Sequence, residues 1–504
     1  MKHSKLKHLR LVIEIVCLLL ITVSFFSVFP EAVQAIPVKT QIVPLIISLL
    51  SEGLLISVFL VIFFLLVTVI FGRLYCSFVC PLGGFQDIFI RFRSVKVGRR
   101  IKKKRYKYRK PFSRLRLLIL IGVVVSTASG GLYLLSFLDP YSIFGKITTY
   151  AIKPSAVFIN NSGQKILDKF GSDLISGMSF PPISFAAVIP FIIVFTVIVL
   201  MSLRHGRLYC NSVCPLGTFL GLFSNRSLYR VKIDTDACNS CGICERGCKA
   251  ECIDSKKKTV DNSSCVKCFN CIKSCKGSAI HYAPAKLFHR SSKTSLEGKG
   301  ISRREAVYSA SGLLAFGGLN VLLGEKTKPE KSSKLPPTPP GSISVDKFMN
   351  KCTSCYLCIN KCPSNVLQPS TLQFGITGAF IPYMDFSTGF CDYECRECLD
   401  VCPNDAIMPY SLEEKRRIQI GTVKFSKELC DVVKSETNCG ACVEMCPTDA
   451  LALIPYKKDL ELPSTKVDAC IGCGACQYVC PAEPQKAIVV ETSLVHKELK
   501  KNGL

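Results

Sequence analysis

Cys470-Ile471-Gly472-Cys473-Gly474-Ala475-Cys476-Gln477-Tyr478-Val479-Cys480-Pro481 is the stretch that decides how this chain is read. Three cysteines stand two residues apart, a fourth follows after three more, and proline comes next. With this spacing a short loop of thiolates holds an iron–sulfur cube. The first three thiolates hold one cube and the fourth reaches a neighbouring one, so such sets work in pairs. Five further sets lie upstream: Cys430, Cys439, Cys442, Cys446; Cys391, Cys395, Cys398, Cys402; Cys352, Cys355, Cys358, Cys362; Cys265, Cys268, Cys271, Cys275; and Cys238, Cys241, Cys244, Cys248. Of 30 cysteines, these sets take 24, and they predict six 4Fe-4S clusters.

Other sulfur chemistry fits poorly. Disulfides do not need this strict spacing, and zinc sites use two Cys-x2-Cys hooks or mix in histidine. The chain has six His, none interleaved with the sets. Proline follows the fourth cysteine in the last four sets (Pro363, Pro403, Pro447, Pro481), whereas Lys249 and Lys276 stand there in the first two. A cluster gains negative charge on reduction, so these ammonium groups predict higher potentials for the first pair. The crossing rule groups Cys238, Cys241, Cys244 with Cys275, and Cys265, Cys268, Cys271 with Cys248, in a small two-cluster ferredoxin module. For the last four sets, spacing leaves sequential and nested pairing both open.

Apolar residues concentrate before residue 205 and again over 306–324 of the 504 residues. The stretches 11–29, 54–71, 117–137 and 183–201 read as membrane spans, each close to the roughly 20 residues a bilayer takes. The short run 42–50 is an interfacial or re-entrant segment or an extension of the second span. The loop 91–116 carries 14 Lys/Arg and no acid, and Lys2, Lys5, Lys7 and Arg10 precede the first span. By the positive-inside rule both are cytoplasmic, as is the segment opening Arg204-His205-Gly206-Arg207. The formal charge of +27 therefore reads as membrane topology rather than nucleic-acid binding. Clusters argue for assembly in a reducing compartment.

Gly72-Arg73-Leu74-Tyr75-Cys76-Ser77-Phe78-Val79-Cys80-Pro81-Leu82-Gly83 recurs as Gly206-Arg207-Leu208-Tyr209-Cys210-Asn211-Ser212-Val213-Cys214-Pro215-Leu216-Gly217. Each copy follows a span ending on the cytoplasmic side, so the N-terminal region reads as two similar halves. Cys76, Cys80, Cys210 and Cys214 are candidates for one metal or cluster site, since soft thiolates suit Cu(I), zinc and Fe–S. A redox-active thiol pair and a purely structural helix start are the alternatives. Arg73 and Arg207 would stabilise thiolates or mark the lipid headgroup boundary. Cys17 reads as a small apolar residue and Cys252 as an inert spare.

With the module that follows, the paired motif over residues 1–285 resembles membrane proteins of the NapH, NosR and CcoG type. The resemblance implies a polytopic electron-transfer protein linked to quinol oxidation or to metal-site assembly. Ser302-Arg303-Arg304-Glu305-Ala306, ahead of a mildly apolar run, resembles a twin-arginine export signal inside the chain. Residues 300–490 resemble NapG-type four-cluster periplasmic ferredoxins, so the whole chain looks like a fusion of the two types. This resemblance favours nested pairing of the last four sets. Glu325 to Ile343, rich in Lys, Pro and Ser, reads as an extended linker.

The expected fold is a membrane α-helical bundle over 1–205, with four spans and the basic loop 91–116. It is followed by the second motif copy over 206–229, the two-cluster ferredoxin module over 230–282, and a segment over 283–343 carrying a fifth span at 302–324. A four-cluster α+β ferredoxin-like domain over 344–492 completes it. The expected location is the bacterial inner membrane, multi-pass, with 230–282 cytoplasmic and 344–504 periplasmic. Expected partners are the lipid bilayer, quinol, and a periplasmic reductase or c-type cytochrome, with no nucleic acid. No Cys-x-x-Cys-His appears, so c-type haem is not expected. The spans hold no His for haem b, and no nucleotide-binding Gly-rich loop is present. No catalytic nucleophile or base stands out. An electron conduit, an assembly factor that reduces a metal centre of another enzyme, and a cluster-based redox sensor are the three functional readings.

Overall fold

The computed structural model describes residues 2–26, 36–170, 185–285 and 335–499, apart from 53–54, 93, 98–99, 104, 372, 376–377 and 458, together with 176–178 and 180. Among these, every helix of eight residues or more lies before residue 225. They are α1 (Lys2–Val23), α2 (Ile42–Glu52), α3 (Leu55–Phe71), α4 (Pro81–Arg91), α5 (Ser113–Ala128), α6 (Pro140–Ile147), α7 (Lys153–Asp168), α8 (Phe185–His205) and α9 (Pro215–Ser224). In α3 only Ser57 and Thr68 are polar, and both are buried. Its outer face shows Leu55, Ile56, Phe59, Ile62, Phe63 and Leu66, and α8 shows Ile189, Ile192, Ile193, Val197 and Leu200. Apolar faces of this size are rare on proteins surrounded by water.

The expected spans are met unevenly. Over Ala187–His205, α8 is long and apolar enough to cross a bilayer, and α3 is comparably apolar but shorter; among the described residues no other helix passes both tests. The third expected span breaks after Ala128. Gly130 turns the chain with φ +83, Ser126 Oγ holds the Gly131 carbonyl at 2.6 Å, and the chain restarts as a short helix at Tyr133–Leu138. The run 42–50 is a helix of its own, α2, packed against α3 and buried through Ile42, Val43, Leu45 and Ile47. The expected twin-arginine segment and fifth span over 302–324 lie outside the described residues.

The helical bundle and the first module share one core, which runs from Tyr75, Leu82 and Leu220 through Val231 and Phe269 to Ile280. Tyr229–Ile233 pairs antiparallel with Ile280–Pro284 and closes that module. The basic loop straps this module, with Tyr106 N–H donating to Arg246 O at 3.2 Å and Arg109 N–H to Glu251 O at 3.1 Å.

The C-terminal region is built round two cores. One runs from Val345 to Ile420 and the other from Val423 to Ile488. Ile488–Glu498 pairs antiparallel with Ile418–Phe425 across them. From Leu335 onward the expected linker is part of this region. Thr338 and Ser342 are buried, Met384 N–H donates to Pro337 O, and Met408 N–H donates to Gly341 O. Prolines lack the N–H of a ladder strand but keep an acceptor carbonyl, which is how this segment is held.

The two cluster regions lie at opposite ends of the bundle. The first half of α1 carries Arg10, which donates to Ser77 Oγ at 2.8 Å beside the first motif copy. Past its far end, the Phe26 carbonyl accepts from Lys361 Nζ at 2.8 Å. Helix α5 repeats the pattern. Arg116 near its start donates to Ser264 Oγ at 3.3 Å, and Gly130 beyond its end abuts the Asn350 side chain.

Candidate electron-transfer centres

The two motif copies meet as a pseudo-twofold pair. Cys80 and Cys214 have the same backbone conformation, φ −63 and ψ 117, and each precedes a helix with proline in its first turn, where the missing N–H costs nothing. Arg73 Nη2 donates to the Cys210 carbonyl at 3.0 Å, and Arg207 Nη1 donates to the Cys76 carbonyl at 2.7 Å. Each arginine therefore grips the opposite copy. A Cβ on Gly83 would clash with Arg207, and one on Gly217 would crowd Arg73, so this close approach requires glycine at both positions. Cys76, Cys80, Cys210 and Cys214 are all buried and unbonded to one another. Burial pushes the Cys214 thiol up, reinforced by the nearby sulfurs of Cys210, Cys76 and Cys80. Arg73 and Arg207 are fully buried, so they do not mark the headgroup boundary.

A charge network joins this centre to the first module. Asp87 Oδ1 accepts from Arg207 Nε at 2.9 Å, its other oxygen pairs with Arg10 at 3.3 Å, and Lys249 Nζ closes on the same carboxylate. Glu14 pairs with Arg10 at 3.1 Å and with Arg207 at 3.1 Å. Burial alone would raise the Asp87 carboxyl, but Arg207 and Lys249 hold it well below the usual carboxylate range. Lys249 is thus a buried docking residue, and its charge faces both Asp87 and the Cys268 thiol; Lys276 is exposed. Two hydrogen bonds complete the junction: Asn211 Nδ2 to Ala250 O at 3.1 Å and Arg73 Nη1 to Ser263 O at 3.0 Å.

In the first module the geometry follows the crossing rule. Cys244 lies beside Cys238, Cys275 and Cys241, and Cys271 beside Cys268, Cys265 and Cys248. Cys252, the expected spare, is buried with its Sγ 3.5 Å from that of Cys248.

In the C-terminal region the sets pair sequentially, against the nested order that the resemblance favours. Cys362 lines one cavity with Cys391, Cys395 and Cys398. Cys402 neighbours Cys352 and Cys355, with Cys358 beside them. Cys446 lines a cavity with Cys470, Cys473 and Cys476, and Cys480 lines one with Cys430, Cys439 and Cys442. The three cavities have similar volumes, about 350, 320 and 370 Å³. Each offers four thiols round a space; Asp392 and Glu397 also line the first and Asp431 the third, and the four soft thiols are the donor set that suits a 4Fe-4S cube. The insertion between Cys430 and Cys439 is a short helix, Asp431–Lys434, which lengthens the loop without displacing the thiols.

Comparison with known proteins agrees with this chemistry. The family described as "4Fe-4S binding domain" matches twice, over residues 54–100 and 187–234, and each stretch contains one motif copy. Families described as "4Fe-4S dicluster domain" match residues 351–407, and 390–450 and 437–484. The chain carries 4Fe-4S ferredoxin-type domains. It is 27% identical over 178 residues to the methylamine utilization ferredoxin-type protein MauN of Paracoccus denitrificans, covering 35% of this chain and 48% of MauN. It is 34% identical over 107 residues to the ferredoxin-type protein NapG of Escherichia coli, covering 21% of this chain and 44% of NapG. MauN of Methylorubrum extorquens is 26% identical over 210 residues, 42% of this chain and 56% of that protein. The chain thus spans about half the length of these relatives. No solved structure matches significantly. Over part of its length the chain is thus similar to the ferredoxin-type proteins NapG and MauN.

Sequence reasoning passed over Glu14, Gln86 and Asp87. Two signals could have found them. Arg10 and Glu14 form an i,i+4 pair at the edge of an apolar run, where charge is costly. Gln86-Asp87 also breaks the repeat, because Leu220-Gly221 stands at the matching place in the second copy.

Proposed function

We propose that this chain is a membrane-bound, multi-cluster electron conduit between the quinone pool or a cytoplasmic donor and a periplasmic reductase or c-type cytochrome. In this reading it joins a NapH-type membrane protein to a NapG-type ferredoxin. Residues 230–282 face the cytoplasm, residues 344–504 face the periplasm, and six clusters sit on the 24 cysteines. When bound, such clusters supply one-electron uptake and release.

The observation that carries the reading is that α1 and α5 each reach the first module near one end, α1 through Asp87, which pairs with both Arg10 and Lys249, and α5 through Arg116 and Ser264, and the C-terminal region at the other. With 22 residues, α1 is about 33 Å long, close to the hydrocarbon thickness of a bilayer. The apolar outer faces of α3 and α8 and the basic loop over 91–116 support the same orientation. In this reading the quinol entry point is an aromatic-lined cleft at the C-terminal end. Phe137, Tyr150, Phe191, Phe195, Tyr356 and Phe380 line it together with Lys146. The buried Tyr150 and Tyr356 hydroxyls face each other, and Tyr356 follows Cys355 directly. Aromatic walls with a few polar groups suit a quinone head group.

The test is to reconstitute the full-length protein in liposomes with a quinol and follow cluster bleaching. A reporter active only outside the cytoplasm, fused after Leu504, checks the orientation. Rapid bleaching and an active reporter are expected. A silent reporter, or clusters that quinol leaves oxidised while a soluble cytoplasmic reductant reduces them and no electrons reach a periplasmic acceptor, would favour the assembly-factor reading.

A further inference from the structure

We propose that Cys252 is a reserve ligand in the first module: its thiol takes the corner of the cluster on Cys265, Cys268 and Cys271 whenever Cys248 lets go of it. This rests on the reading of that set as a cluster site and goes beyond it, because the crossing rule leaves Cys252 without a part.

Contact is the first observation. Cys252 Sγ lies 3.5 Å from Cys248 Sγ, and Cys265 is its other hydrogen-bonding thiol neighbour. The fifth thiol of the module therefore touches two of the four ligands, and it is buried with them. The fully buried Lys267 faces Cys252 as well as Cys265 and Cys271. A cation placed there supports a bound thiolate from either sulfur.

The internal repeat is the second. Cys248-Lys249-Ala250-Glu251-Cys252-Ile253 matches Cys275-Lys276-Gly277-Ser278-Ala279-Ile280 in the other half of the module. The backbone repeats too, with φ 51 at Glu251 and φ 49 at Ser278. Cys252 and Ala279 are equally buried, at 2% exposure each. Val366, Ala406 and Ala450 stand at the same place, four residues after the last cysteine of their sets, and are buried as well. Each follows a residue of positive φ: Asn365, Asp405 and Asp449. Packing at this position is thus met by a methyl or isopropyl group. Among these five sets only this one puts a thiol there, and it lies against a ligand.

The exchange balances without a co-reactant. The bond from iron to the Cys248 sulfur breaks and one to the Cys252 sulfur forms. The Cys252 proton passes to the released Cys248 sulfur, and no electron moves. One soft thiolate replaces another, so the ligand chemistry is unchanged.

Placement distinguishes the two thiols. Cys248 is joined directly to Lys249, whose carbonyl accepts from Arg207 N–H at 2.8 Å and whose ammonium pairs with Asp87. The first-choice ligand is therefore tied to the bundle. Cys252 belongs to the module itself: its carbonyl accepts from Asp261 N–H at 2.9 Å, and the next residues, Ile253 and Asp254, pair with Val260 and Thr259. The reserve thiol thus keeps its place whatever happens at the junction.

The test is iron and acid-labile sulfide analysis of full-length protein, purified anaerobically and reconstituted with iron and sulfide. Cys248→Ala should keep the wild-type iron. Cys248→Ala/Cys252→Ala should lose about one to four irons, from a three-iron remnant to a whole cube. Cys275→Ala is the control. It removes the equivalent ligand of the other cluster, where Ala279 offers no substitute, and should lose iron by itself. Iron loss in Cys248→Ala equal to that of the double variant overturns the proposal, as does full iron in the double variant. Cys252→Ala guards against a Cys248 variant that does not fold, since alanine already stands at the matching place in the other half. It should keep all its iron but yield one cluster's iron to a chelator several-fold faster than wild type. Equal release rates overturn the reserve role. If Cys265→Ala removes no iron, the set holds no cluster, and the cluster reading falls together with the proposal.

Discussion

Arg207, from the second motif copy, donates at 2.7 Å to the carbonyl of Cys76 in the first. Arg73 returns the same bond to Cys210 at 3.0 Å. Two segments far apart in the chain thereby become one centre, and the same arginines tie that centre to its surroundings.

The close fit at the centre predicts an intolerance of methyl groups. Gly83→Ala and Gly217→Ala each press a Cβ against the opposite arginine and the carbonyl of the first cysteine of its own copy, Cys76 or Cys210. Each should destabilise the protein by about 1–3 kcal/mol or more, the usual cost of overpacking, measured as a fall in thermal midpoint in detergent. A midpoint unchanged in both variants would mean that the two copies do not meet this closely.

Asp87 holds three cations, so Asp87→Asn should be among the most damaging single changes. Leaving buried charges unpaired costs about 3–5 kcal/mol. Limited proteolysis should then release the 230–282 module from the bundle. Gly277→Ala, on the module's open side where an added Cβ meets only ordinary contact, serves as the control and should leave proteolysis unchanged.

Sequential pairing has an iron signature. Cys362 and Cys391 line the same cavity. The Cys362→Ser/Cys391→Ser double variant should therefore lose about four irons, one cube's worth. Loss of about eight would mean that the two cysteines serve different clusters and that the order is nested.

His496 ties the Pro-rich segment to the last strand, with its Nε2 3.1 Å from Thr338 Oγ1. Burial pushes its pKa down from 6.5 to about 4. The folded state therefore resists a proton that the unfolded chain accepts. No penalty exists above pH 6.5; stability is lost as pH falls from 6.5 toward 4. At pH 5 the loss should be about 2 kcal/mol. His496→Gln should lose less stability than wild type between pH 7.5 and pH 5, read as the difference in thermal midpoint. Equal losses would show that the imidazole is free to protonate in the folded protein.

Local chemistry was legible in the sequence because it is written in spacing. Ligand loops such as Cys470 to Cys480, the repeated motif, and the apolar faces of α3 and α8 each follow from residues a few positions apart. Lys249 was legible only as a departure from proline. Its docking partner Asp87 lies 162 positions away, and nothing in either neighbourhood names the other.

By itself, then, the sequence determined the kind of protein: which thiols could hold iron, which helices turn an apolar face outward, and that the N-terminal region is a doubled unit. These depend on periodicity and on ligand chemistry, which act over one turn of chain. Only the tertiary structure decided which fourth cysteine completes which set, that Arg73 has no carboxylate partner among the described residues, that residues 335–343 are built into a core, and that the cluster regions occupy opposite ends of the bundle. Those outcomes depend on burial and charge balance. A buried guanidinium or thiol is satisfied by whatever the fold brings within a few ångströms, however distant it is along the chain.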